Sequence, residues 1–266
     1  MISSARLRGP EVNKLKIDRT FIRALTEDPE DQAILTTIIG LAKTLGMASM
    51  AFTDPLSLPY RPAPLNGAAL TLPIRLDPGS ATLRTRLREA TRPAHARLEA
   101  RLNLLDEPVP ADRIMHLLQR FHGFHSAWEP ALEGLVPTQL LQPRLKLPLL
   151  EADMRSLGAE ENLLRTLPAC PHAASLCSGR ATAAGSLYVL EGSTLGGAVI
   201  NPVLAHAPWY PMAGLRYWNP YGNQTGKRWK ETLAYLESLP ASWSDEVIQS
   251  ANMTFDLLRS WLPAQQ

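Results

Sequence analysis

The stretch Gly185-Ser186-Leu187-Tyr188-Val189-Leu190-Glu191-Gly192-Ser193-Thr194-Leu195-Gly196-Gly197-Ala198-Val199-Ile200 decides how the chain is read. Leu187, Leu190, Leu195, Val199 and Ile200 recur at helical spacing, yet four glycines interrupt them. Each glycine inside a helix costs roughly 1 kcal/mol relative to alanine, so the cluster gives up about 3–4 kcal/mol. A bare backbone must therefore be needed here. Two needs fit: another helix crossing closely at the small-xxx-small pair Gly192 and Gly196, or a flat ligand lying against a helix that bends where side chains are missing.

Outward from this stretch, the pattern stays helical in both directions. Leu83, Leu87, Ala90, Ala94, Leu98 and Leu102 mark one face from Thr82 onward, and Pro93 either kinks that helix or begins it. A second stripe, Ile114, Leu117, Leu118, Phe121, Phe124, Trp128 and Leu132, predicts a helix over 112–135. Residues 149–167 predict another, ended by Pro168-Ala169-Cys170-Pro171. After the glycine-rich helix come a turn-rich aromatic segment, Ala207 to Gly222, and two amphipathic stretches, Lys227 to Leu239 and Trp243 to Trp261. Nothing from 81 to 266 alternates with period two, so this domain is expected to be all-α.

Leu87-Arg88-Glu89-Ala90-Thr91-Arg92-Pro93-Ala94-His95-Ala96-Arg97-Leu98-Glu99 resembles the proximal-histidine segment of haem oxygenases, and Gly192 through Gly197 resembles their glycine-rich distal helix. The order of the two motifs also matches, and Tyr188 through Gly197 is most similar to the bacterial, phytochrome-associated branch. The resemblance covers roughly residues 81 to 262 and implies an all-α fold. It also implies haem as both cofactor and substrate, O2 as co-substrate, and the products biliverdin, carbon monoxide and ferrous iron.

The resemblance makes His95 the axial imidazole. Glu99, four residues on, shares its helical face, where a carboxylate can fix the ring. Haem propionates call for basic residues, and Arg88, Lys227, Arg228 and Lys230 are the candidates, with Lys230 the best match to a propionate-binding arginine of animal relatives. Gly192, Gly196 and Gly197 are expected to bring main-chain atoms close to the distal face of the ring. Ser193 stands where animal enzymes carry an aspartate that orders water. A serine holds water without the negative charge, which implies an altered water network. Glu191 is adjacent but lies about 100° round the helix, so it is not expected to replace that aspartate.

Residues 11–49 carry a separate signal. Asn13 to Ile22 reads as a strand, Asp28-Pro29-Glu30-Asp31 as an acidic turn, and Ala33 to Met47 as an amphipathic helix. This segment resembles a late piece of EAL-type cyclic-di-GMP phosphodiesterases, with Lys16 at the position of their active-site lysine. Met50-Ala51-Phe52-Thr53 replaces the next glutamate-bearing strand, and one βα unit cannot close a barrel, so 1–53 is expected to be a non-functional fragment. Pro55, Pro59, Pro62, Pro64, Pro73 and Pro78 mark 54–80 as a linker, leaving 81–266 as the haem oxygenase-like domain.

The bulk composition excludes several classes. A net charge of +2 gives no electrostatic footprint for nucleic acid, and 45% hydrophobic residues support a sizeable core. The two cysteines, Cys170 and Cys177, are too few for a disulfide framework and point to a reducing cytoplasm; Cys170-Pro171 reads as a thiol beside a turn. Met1 to Pro10 is polar with no apolar h-region after it, Ala33 to Phe52 contains Lys43, and no apolar anchor precedes Gln266, so neither a signal peptide nor a membrane anchor is expected. His122 and His125 have i,i+3 metal-ligand spacing, but no carboxylate or cysteine completes a set. No dinucleotide fingerprint occurs, so electrons are expected from a separate ferredoxin or flavoprotein reductase, and biliverdin is expected to pass to a bacteriophytochrome. Two other readings are a haem carrier or sensor without turnover and a helical interaction protein.

Overall fold

The structure, a computed structural model, describes residues 14–15, 48–49, 82–105 and 108–263. The chain divides into two units, residues 1–75 and 76–266. In the first, β1 (Lys14–Leu15) and β2 (Ala48–Ser49) pair in parallel, Lys14 opposite Ala48 and Leu15 opposite Ser49. The helix expected at 33–47, Lys16 and the linker 54–80 lie outside the described residues.

The second unit is helical. Its described residues form α1 (Leu83–Leu102), α2 (Ala111–Ala131), α3 (Thr138–Leu141), α4 (Leu147–Ser156), α5 (Glu161–Thr166), α6 (Arg180–Leu204), α7 (Thr225–Glu237) and α8 (Ser244–Trp261), joined by loops and short 3-10 turns. α1 starts where Thr82 Oγ1 accepts from the Thr85 amide at 3.3 Å, and stops where Asn103 turns left-handed, its N–H bonding the Glu99 carbonyl at 2.8 Å. Pro93 neither starts nor ends it. The donor it lacks would serve the Glu89 carbonyl, on the exposed side of the helix where water can substitute.

The core is built from the apolar stripes of these helices. Leu87, Ala94 and Leu98 of α1 join Ile114, Leu117, Leu118, Phe124 and Trp128 of α2, with Leu187 and Leu190 of α6 and Val247, Ala251 and Leu258 of α8. α8 packs along both α1 and α6, and α2 packs on α4. α1 and α8 run the same way, as Arg86 meets Asp245, His95 meets Phe255 and Arg101 reaches the Leu262 carbonyl in succession. α6 and α8 approach backbone to backbone: a Cβ on Gly185 would sit 2.3 Å from the Val247 carbonyl oxygen. The helix expected over 149–167 is two, because Gly158 adopts φ +93° and ends the first.

Candidate functional site

The site begins on α1. Its buried stripe points Leu87, Thr91, Ala94 and Leu98 inward and leaves Arg88, His95 and Glu99 outward. His95 Nε2 lies 3.4 Å from Glu99 Oε1, with the two side chains 53% and 67% exposed, and the imidazole leans on the Phe255 ring at 5.5 Å. One ring nitrogen thus lies beside a carboxylate on a side chain that is half exposed. That is the donor set a haem iron takes from a protein.

α6 reaches this neighbourhood through Tyr188. Its hydroxyl meets the Thr91 side chain, and burial holds the phenol above the usual tyrosine range while nearby Arg88 and Arg84 pull the other way. His95 stands one turn beyond Thr91, and Gly192 one turn beyond Tyr188. Trp229 of α7 packs on Tyr188 at 5.5 Å and would touch a Cβ on Gly192 at 3.5 Å. A Cβ on Gly196 would meet nothing within 4 Å, and Ser193 is likewise exposed. The Ser193 hydroxyl donates to the Leu190 carbonyl at 2.8 Å, leaving its oxygen free to accept from water.

The glycines therefore have different reasons. Gly196 faces open space and Gly192 the indole edge of Trp229, so no described helix presses its backbone against that pair. Gly197 is buried: a Cβ there would lie 2.2 Å from the Trp218 carbonyl oxygen, so its bare backbone admits the loop after α6. Packing is thus a reason for this glycine independent of its expected role beside a ligand.

The basic candidates also separate. Lys227 and Lys230 are exposed and share one face of α7, while Arg228 lies 100° round from Lys227 and bonds Glu231 Oε2 at 3.1 Å. Lys227, Arg228 and Lys230 are not one cluster, and Arg228 is already neutralised by a carboxylate. Arg88, exposed near Tyr188, remains on the side of His95.

Behind α6 lies a charged network that the sequence reading missed. Glu191 is 2% exposed, and its carboxylate accepts from Lys146 Nζ at 2.7 Å and the Tyr221 hydroxyl at 2.9 Å and forms an ion pair with Arg144 Nε at 3.1 Å. Burial and the adjacent Glu191 charge hold the Tyr221 phenol far above its ordinary pKa; burial lowers Lys146, and Glu191 opposes that. Glu129 continues the network, accepting from the Lys146 amide at 2.6 Å and pairing with His125 Nδ1 at 2.9 Å. The signal was present: after Arg180, Glu191 is the sole charged residue of α6, and it sits among buried apolar positions.

His125 is thus a member of this network. His122 turns to Glu151 at 3.6 Å, its Nδ1 having no partner among the described residues. The described residues hold no group of three or more histidine, cysteine or acidic side chains suited to a metal ion. Cys170 is a buried thiol whose amide bonds the Gly123 carbonyl, and burial raises its pKa. No helix among the described residues is long and apolar enough to cross a membrane.

The family model described as Heme oxygenase matches residues 81–264. A heme oxygenase from Xanthomonas campestris pv. campestris (strain 8004) is 34% identical over 112 residues, which are 38% of this chain and 63% of that protein. The match therefore spans less than two thirds of that relative's length. Among solved structures, heme oxygenase-1 from the cyanobacterium Synechocystis sp. PCC6803 in complex with heme aligns with TM-score 0.56 and 14% identity, over 68% of this chain and 91% of that one. Heme oxygenase from Leptospira interrogans aligns with TM-score 0.57 and 17% identity, over 68% of this chain and 98% of that one. At these identities the structural likeness concerns the fold.

Proposed function

Since the chain belongs to the haem oxygenase family, we propose that it cleaves haem oxidatively to biliverdin, releasing carbon monoxide and ferrous iron, with O2 as co-substrate. The observation that carries this reading is the exposed His95–Glu99 pair on α1, tied through Thr91 and Tyr188 to a part of α6 that bears no side chains at Gly192 and Gly196.

Bound haem supplies the iron that takes up O2 and the ring that is oxidised. The chain's own residues do the rest. His95 provides one imidazole nitrogen, and Glu99 accepts from the other, fixing the tautomer and the plane of the ring. Gly192 and Gly196 are proposed to leave the distal face open to the ring, a role supported by the open space a Cβ on Gly196 would enter. Ser193 offers an oxygen that can hold one water near the same face. Arg88, Lys227 and Lys230 are the exposed cations proposed for the propionates; Arg228, paired with Glu231, has the weaker claim.

The electron donor proposed is a separate ferredoxin or flavoprotein reductase, and a bacteriophytochrome is the proposed recipient of biliverdin. Two buried free thiols support a reducing, cytoplasmic setting. The test is anaerobic loading of the full chain with haem, followed by oxygen and a reductant. Loss of the Soret band with appearance of biliverdin is expected. A protein that binds haem stoichiometrically and only changes redox state would be a carrier or sensor and would overturn the reading.

A further inference from the structure

We propose that Glu191 is a positioning residue: clamped from behind by Arg144, Lys146 and Tyr221, it sets the rotation of α6 so that Gly192, Ser193 and Gly196 face the site. The proposal rests on the haem oxygenase reading, because it concerns where that reading's distal surface points.

A helix is normally locked in rotation by side chains that interdigitate with its neighbours. The segment 192–197 has few: three glycines, an exposed serine, and Leu195 only partly buried. On the forward side nothing touches the Gly196 position, and Gly192 meets only the edge of Trp229. The holding contacts are therefore on the rear. Thr194 is buried and its hydroxyl bonds its own helix at the Glu191 carbonyl rather than another element. Gly197 abuts the Trp218 carbonyl, and Glu191 alone of this segment sends a charged side chain into another element.

Glu191 lies 100° from Gly192 and about 140° from Gly196 round the helix, so fixing one direction fixes the other. The clamp is itself braced from three sides. Arg144 bonds the Leu140 carbonyl at 2.7 Å, the Arg228 carbonyl at 2.8 Å and Glu231 at 3.0 Å, which reaches α3 and α7. Lys146 bonds the Arg144 carbonyl at 3.0 Å and the Tyr221 hydroxyl at 2.6 Å, while its amide is held by Glu129 of α2. Tyr221 spans both Glu191 oxygens, at 2.9 and 3.0 Å. A rotation of α6 by even one residue would withdraw the carboxylate from two buried cations, and that penalty makes the orientation specific. A well-packed apolar cluster would give stability without this directional demand.

The experiment uses the full chain. Wild type is first loaded with haem and its biliverdin isomers resolved, since failure at that step rejects the haem oxygenase reading and leaves Glu191 aside. Glu191→Gln keeps shape but removes the charge and replaces one acceptor oxygen with an NH2 donor, and Tyr221→Phe removes one donor while keeping both charge pairs. In folded Glu191→Gln we expect haem affinity within about threefold of wild type, a shifted carbon monoxide stretching frequency in the ferrous complex, an altered product-isomer ratio and at least a tenfold slower turnover. Tyr221→Phe should move the same three readouts in the same direction by less, and decides the matter if Glu191→Gln does not fold. Glu191→Asp, restoring the charge at shorter reach, should recover part of the wild-type frequency and isomer ratio. Folded variants that melt lower yet keep the wild-type stretching frequency and isomer ratio would show Glu191 to be purely structural and overturn the proposal.

Discussion

Gly197→Ala and Gly196→Ala, one residue apart on the same helix, should have opposite effects. At Gly197 the added Cβ would lie 2.2 Å from the Trp218 carbonyl oxygen and 3.0 Å from its carbon, both backbone atoms. The loop cannot retreat cheaply. The Arg216 and Tyr217 amides are bonded to buried Asp153 at 2.8 and 2.7 Å, and the Trp218 ring packs edge-on against Phe121. Overpacking of this kind costs about 1–3 kcal/mol, against which alanine recovers up to about 1 kcal/mol of helix propensity. A net loss of about 1 kcal/mol, at about 2–4 °C per kcal/mol for a domain of this size, lowers Tm by about 2–4 °C. At Gly196 the Cβ meets nothing, so the propensity gain should stand alone and raise Tm by about 2–4 °C. Thermal unfolding of the haem-free protein, followed by far-UV circular dichroism or calorimetry, measures both. Equal melting temperatures for the two variants would refute the division of the glycines into packing and open positions.

Other expectations follow from the same geometry. Gly196→Leu should melt within a few degrees of wild type when haem-free, yet bind carbon monoxide poorly in the ferrous form; strong destabilisation with normal carbon monoxide binding would return the glycine to helix packing. His95→Ala should lose the protein's axial ligand and most turnover, with added imidazole partly restoring the spectrum, and an unchanged Soret band and rate would defeat the assignment. Deleting residues 1–75, the first of the two units, should leave haem degradation intact; a truncated protein that folds but cannot bind haem would show that segment to be part of the pocket. Burial holds His125 below the ordinary histidine value of 6.5, against the pull of Glu129. Below that value the unfolded chain binds a proton the folded chain refuses, so stability should fall as pH drops from about 7 to 5. His125→Gln should be less stable at neutral pH and should show a shallower decline over that window; an equal slope in variant and wild type would acquit His125.

Much of the helical frame was legible because the 3.6-residue period is imposed by burial on one face. The stripes through Leu87 and Leu98, Ile114 and Trp128, and Val247 and Leu258 are the buried faces of α1, α2 and α8. Periodicity carries less information where an element is short or a single backbone angle intervenes. α3, four residues long, lacks a full stripe, and the break between α4 and α5 turns on the left-handed Gly158, whose sequence context reads as continuous helix. The charged network behind α6 was harder still. Arg144, Lys146, Glu191 and Tyr221 come from three separate parts of the chain, and although Glu191 stands out as a lone charge in an apolar helix, nothing in the sequence joins it to the other three.

The glycine stretch shows why residue type alone underdetermines a site. Gly185, Gly192, Gly196 and Gly197 are one letter to sequence reasoning, and the need for a bare backbone was inferred once for all four. Two of them, Gly185 and Gly197, are required because a carbonyl of another segment occupies the place of a Cβ, that of Val247 in α8 and that of Trp218 in the following loop. Both contacts hold the helix from positions other than the small-xxx-small pair the spacing suggested. This leaves Gly192 and Gly196 without a strong packing reason, and their cost in helix propensity, about 2 kcal/mol together, without a structural return. A helix that gives up that much stability on an open face, while a buried glutamate one residue earlier fixes which way the face turns, is organised for a ligand that approaches its backbone.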